Sequence, residues 1–184
     1  MSCEIIDILH DKELLQLVTE RAAEIHYQNF HDFKARINGY THFFIVKLDG
    51  ELVAMSGIWR CSKWPEKYFR VADRSFYFPE IRQKNISNPY KKENKTINSQ
   101  ILIPMQTKIV LDQGGLPFYS MLNRPNALRR SVMIQNQFSE YKYKVLDDLY
   151  WTCEREPDIN DKVCWQNIAV LEQFNEWDLP RKDE

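Results

Sequence analysis

The sequence predicts an α/β domain, a mixed sheet with helices on both faces. Three observations lead there. Asp49-Gly50 separates two apolar runs, a segment from Tyr68 to Phe78 is dense in aromatic and β-branched residues, and helical periods alternate with short strands in the second half. Two helical crossovers in that half imply locally parallel strands, because a parallel return needs a long connection.

The elements follow in order. Cys3 to Leu9 alternates weakly and reads as a first strand. Asp11 offers an N-cap to a helix from Leu14 to about Asn29, with Leu14, Leu17, Val18, Ala22 and Ile25 recurring at threes and fours. Phe43 to Leu48 and Glu51 to Trp59 flank Asp49-Gly50 as a hairpin, since glycine takes positive φ without steric cost. Tyr68 to Phe78, ended by Pro79, reads as a central strand, and Arg82 to Lys95 as a polar loop. Asn98 or Ser99 can cap a helix to about Asp112, with Ile101, Leu102, Met105, Ile109 and Val110 as its apolar stripe. Pro104 should kink this helix or move its start later, and Gly114-Gly115 ends it. Pro117 to Leu122 is a short strand, Pro125 to Gln137 a helix and Val145 to Cys153 a strand. Val163 to Leu171 fits helix or strand, and a strand pairing back on the previous one is favoured.

With 184 residues the chain holds one good-sized core, and a single domain over 1–184 is expected. A formal net charge of −1 provides no global pull towards nucleic acid, leaving such a partner without support in the sequence. No apolar stretch approaches the ~20 residues of a membrane span. The start, Met1-Ser2-Cys3-Glu4, lacks the features of a signal peptide, so a cytoplasmic location is expected. Cys3, Cys61, Cys153 and Cys164 are scattered without a CxxC pair, and His26 and His31 stand five apart, so no metal site is expected. Trp59, Trp64 and Tyr68 surround a connection between strands and could wall a pocket, although core packing is the plainer role for Trp59.

This order of elements resembles the GNAT (N-acetyltransferase) superfamily over Glu4 to Leu171, and within it acetyltransferase-like proteins of bacteriophages. The hairpin looks like the family's second and third strands, Tyr68 to Phe78 like its fourth, and Phe118-Tyr119-Ser120-Met121-Leu122-Asn123 like its fifth. The resemblance implies a mostly antiparallel GNAT-like sheet. It also implies acetyl-CoA as donor and a small-molecule or peptide amine as acceptor, with a homodimer left open. In that fold the fourth and fifth strands splay apart around the pantetheine arm, and a helix N-terminus holds the pyrophosphate. Carried onto this chain, the donor-binding residues are Ile81, Arg82, Gln83, Asn98, Ser99, Gln100 and Asn123.

Two departures stand against the match. The family's phosphate loop, R/Q-x-x-G-x-G/A, begins plausibly at Pro79-Glu80-Ile81-Arg82-Gln83, yet no glycine occurs between Gly57 and Gly114. A polar insertion, Lys84 to Ile97, follows instead, and Lys91, Lys92 and Lys95 could supply charge in place of glycine amides, or be plain solvated loop. Where the family often carries a thiolate-protonating Tyr, this chain has Met133; Tyr119, Tyr141 and Tyr143 are the nearby hydroxyls.

Acyl transfer needs a base for the amine and a donor for the departing thiolate. Asp73, midway along the fourth strand among apolar neighbours, is the first candidate base, with Glu80 as substitute and Tyr119 as the third catalytic candidate. The alternative for Asp73 is a structural ion pair with Arg70 or Arg74. Three functions stay open: an acyl-CoA-dependent N-acyltransferase, a GNAT-fold binding protein without catalysis, and an acyltransferase using another thioester or aminoacyl donor.

Overall fold

The computed structural model describes residues 2–25, 33–62, 64–78, 97, 101–121, 125, 128, 132, 142–151 and 165–171. The elements are β1 (Cys3–Asp7), α1 (Lys12–Ile25), α2 (Phe33–Arg36), a 3-10 turn (Ile37–Gly39), β2 (Tyr40–Leu48), β3 (Glu51–Trp59) and β4 (Tyr68–Tyr77). They continue as α3 (Ile103–Asp112), β5 (Leu116–Met121), β6 (Tyr143–Trp151) and β7 (Trp165–Leu171).

The strands hydrogen-bond in the order β1-β2-β3-β4-β5-β7-β6. The β1–β2, β2–β3, β5–β7 and β6–β7 ladders are antiparallel, and β4–β5 is parallel. This is the mixed, mostly antiparallel sheet that was expected. The ambiguous last segment is a strand pairing back on β6, and it also pairs with β5. Contacts divide the chain into two compact units, Met1–Trp59 with Ala72–Leu102, and Arg60–Val71 with Ile103–Glu184.

In the first unit the Asp49-Gly50 turn forms as expected. Both residues take positive φ, 49° and 82°, and Leu48 pairs with Glu51 across a two-residue loop. Asp11 caps α1, its carboxylate accepting the Leu14 N–H at 3.1 Å and its carbonyl the Leu15 N–H at 2.8 Å. The buried stripe of α1 differs from the expected one: it is Leu15, Val18, Thr19 and Ala22, whereas Leu17 and Ile25 face outward. Thr19 is accepted there because its hydroxyl donates back to the Leu15 carbonyl at 2.7 Å. Every residue of β3 from Val53 to Trp59 is buried, as befits a strand paired on both sides.

In the second unit Pro104 has the anticipated effect. Ile97 is α-helical, Ile101 and Leu102 are wound more widely, and regular α-helix runs from Ile103, with Pro104 in its first turn. The buried side of α3 is Ile103, Gln106, Thr107 and Val110, so Met105 and Ile109 of the expected stripe are only half-buried. Gly114 ends α3 with φ 75°, its N–H reaching the Leu111 carbonyl and that of Gly115 the Val110 carbonyl. A Cβ on Gly115 would lie 2.8 Å from Val110 and 2.9 Å from Phe69, so only glycine fits this approach. The chain then enters β5, which pairs with β4 through Tyr68↔Leu116, Phe69↔Pro117 and Arg70↔Phe118. The helix expected over Pro125 to Gln137 is helical at 125, 128 and 132, and its other positions lie outside the described residues.

Candidate functional site

The most concentrated buried polar chemistry among the described residues of the first unit surrounds Asp73. Two short elements bring its partners together. The chain leaves α2 at Arg36, makes one 3-10 turn and enters β2 at Tyr40, whose N–H bonds the Ile37 carbonyl. That single turn places Arg36 and Tyr40 four residues apart. An Arg36 Nη donates to one Asp73 oxygen at 3.0 Å, and the Tyr40 hydroxyl donates to the other. Both side chains of the ion pair are almost wholly buried, 2% exposed for Arg36 and 0% for Asp73.

Surrounding residues fix the two donors. Trp59 donates its indole N–H to the Arg36 carbonyl at 3.1 Å, while the Arg36 guanidinium lies 4.0 Å from the centre of the Trp59 ring. Phe33 stacks on Tyr40, and Phe43 meets both edge-on. Gly57 leaves the space for the Tyr40 ring, since a Cβ there would fall 2.7 Å from it.

β4 is irregular around Asp73. Ala72 and Arg74 take φ 55° and 51°, the left-handed region that residues other than glycine usually avoid. Each costs on the order of 1–2 kcal/mol. The buried positions Tyr68, Val71, Asp73, Phe76 and Phe78 accordingly depart from strict alternation. Ser75 donates to the Ala72 carbonyl at 2.9 Å and shares a 2.6 Å hydroxyl contact with Ser56 of β3.

The sequence anticipated an ion pair for Asp73 as one alternative but named Arg70 or Arg74. Arg36, 37 positions earlier, is a partner that spacing did not suggest: α2 and its turn deliver its guanidinium to β4. Arg36 and Tyr40 carry no signature in the sequence, since Phe33-Lys34-Ala35-Arg36 is too short to show a period. The available signal was chemical: a carboxylate among apolar neighbours on a central strand needs a cation somewhere in the chain.

Tyr119 lies in the second unit, 2% exposed. Its hydroxyl bonds Thr107 Oγ1, which in turn bonds the Ile103 carbonyl at 2.7 Å. Thr107 has one hydroxyl proton and directs it to the carbonyl, so Tyr119 is the donor to Thr107. Trp64 and Tyr68 are buried in the same unit, with Trp64 edge-on to Phe118 at 5.0 Å. Glu80, Ile81, Arg82, Gln83, Asn98, Ser99, Gln100 and Asn123 lie outside the described residues, as do Lys91, Lys92 and Lys95. Among the described residues no group of three His, Cys, Asp or Glu could hold a metal ion, and no helix is long and apolar enough to cross a membrane.

Tyr40 carries a testable consequence. Burial, the adjacent Asp73 carboxylate and the hydrogen bond to it raise its phenol well above the ordinary value of 10.0, with the positive charge of Arg36 opposing. A folded-state value above the unfolded one means stability is full below about pH 10 and lost as pH rises further, because the unfolded chain releases its proton first. The loss should reach about 1.4 kcal/mol per pH unit above that point. Tyr40→Phe should flatten this part of the alkaline limb in chemical denaturation at pH 9 to 11. Parallel curves for the two proteins would contradict it.

No family model and no curated protein sequence matches the chain. Solved structures similar to it include an acetyltransferase from Streptococcus agalactiae, 16% identical, covering 91% of this chain and 96% of that one with a TM-score of 0.48. The ribosomal-protein-S18-alanine N-acetyltransferase of Escherichia coli is 9% identical, with 92% of each chain covered and a TM-score of 0.46. The PaiA N-acetyltransferase of Thermoplasma acidophilum, in complex with coenzyme A, is 14% identical, with 91% and 98% covered and a TM-score of 0.42. At these levels the likeness assigns no role to any residue.

Proposed function

We propose that this chain is an acyl-CoA-dependent N-acyltransferase, moving an acetyl group from acetyl-CoA to an amine. One observation carries the reading: β4 and β5 form the parallel ladder of a mostly antiparallel sheet, follow each other through α3, and pair at three positions near their starts. That is the arrangement implied by the GNAT resemblance, in which the donor arm lies beyond the paired ends of these strands. In the reaction the amine nitrogen attacks the thioester carbonyl, the C–S bond breaks, and the amine's proton passes through a base to end on the thiol. Glu80, just past the end of β4, is the base in this reading. Asp73 is not, because its two oxygens accept bonds from Arg36 and Tyr40 within the core.

The pyrophosphate would lie against Ile81, Arg82, Gln83, Asn98, Ser99 and Gln100, with Asn123 two positions beyond the last residue of β5 in the sequence. Since glycine amides are missing from this stretch, Lys91, Lys92 and Lys95 supply the charge. Replacing all three with Ala should weaken acetyl-CoA binding and flatten its salt dependence. Unchanged affinity would mean that the insertion is only solvated surface.

A second reading, a binding protein of the same fold without catalysis, is favoured by one finding: Asp73 and Tyr119 both have their polar groups engaged inside the protein. Thiol release from acetyl-CoA in the presence of polyamines, amino acids and peptides separates the two. Saturable release above hydrolysis with any amine supports the transferase; donor binding without release with every amine supports the binding protein.

A further inference from the structure

We propose that Arg36 and Tyr40 form a clamp which, through Asp73, holds β4 in its kinked conformation. Asp73 is the residue between the two left-handed positions Ala72 and Arg74. It is fully buried, and its two oxygens are gripped by side chains from one five-residue stretch, 36–40. That stretch is itself held, by Trp59 against Arg36 and by Phe33 against Tyr40. Left-handed residues other than glycine persist only where the surroundings over-determine them. Here the buried ion pair and the phenol hydrogen bond act on the residue between them, and the Ser75 hydroxyl donates to the Ala72 carbonyl. Without the clamp, Ala72 is free to return to the extended region that its Cβ favours. This inference does not depend on the acyl-transfer reading.

Ala72→Gly reports the conformation at that position. In the left-handed region glycine removes steric strain, whereas in an extended strand it only adds freedom to the unfolded chain and destabilises. The substitution is made in the full chain and in an Arg36→Met, Asp73→Leu variant, which removes both charges and leaves neither buried alone. With the clamp intact, Ala72→Gly should hold or raise the melting temperature. In the paired variant it should lower it, the two effects differing by about 2–4 °C. Equal effects in both backgrounds would overturn the proposal. Should the paired variant fail to fold, Tyr40→Phe is the second background: a less favourable glycine effect there than in the unaltered chain supports the clamp, and an equal one overturns it.

Discussion

Asp73→Asn should destabilise the protein by about 3–5 kcal/mol, the cost of leaving a buried charge without its counter-ion. Asparagine preserves shape but removes the charge that faces Arg36, whose guanidinium is 2% exposed. Only the amide oxygen can face Arg36, a pure donor, so the amide NH2 must turn to Tyr40 and the phenol must reverse from donor to acceptor. The stacking of Arg36 on Trp59 remains but cannot neutralise the charge. For a chain of this length the loss corresponds to a melting temperature lower by roughly 10 °C. Turnover per folded molecule should be preserved. An unchanged melting temperature with turnover abolished would restore Asp73 as the base and remove it from the clamp.

The second large effect is expected at Glu80, on the catalytic rather than the structural side. If Glu80 takes the amine's proton, Glu80→Gln should lower kcat by roughly 10²–10⁴-fold. Donor affinity should stay within a small factor, because the interaction lost belongs to the transition state. A kcat that is unchanged while acetyl-CoA affinity falls would place Glu80 in donor binding. Unchanged values of both would leave the reaction without a carboxylate base near the end of β4.

Much of the fold was legible because it rests on local chemistry. Asp49-Gly50 dictates a tight hairpin, Asp11 caps α1, Pro104 stands in the first turn of α3 after two more widely wound residues, and Gly114 stops it, each through a steric or hydrogen-bonding rule acting within a few residues. The parallel β4–β5 step followed from the helix between two strands. What could not be read was non-local. Periodicity on α1 selected Leu17, yet tertiary packing buries Leu15 and Thr19 instead. Tyr68 to Phe78 reads as a plain strand, and nothing marks Ala72 and Arg74 as left-handed, since neither is glycine, asparagine or aspartate. Asp73 stands out from its surroundings, but Arg36, which pairs with it, lies on a four-residue helix 37 positions away, beyond any pattern of spacing. The donor-binding candidates were chosen by resemblance, and their own residues depart from the glycine-rich motif that would have made the choice specific.

Use of an acyl-CoA donor is tested by titrating the protein with acetyl-CoA in a calorimeter, with adenosine and free pantetheine in parallel. A single saturable site of micromolar affinity for acetyl-CoA is expected, with weaker binding for each fragment and affinity that falls as salt rises because lysine charge holds the pyrophosphate. No detectable heat and no thermal stabilisation at millimolar acetyl-CoA would contradict it.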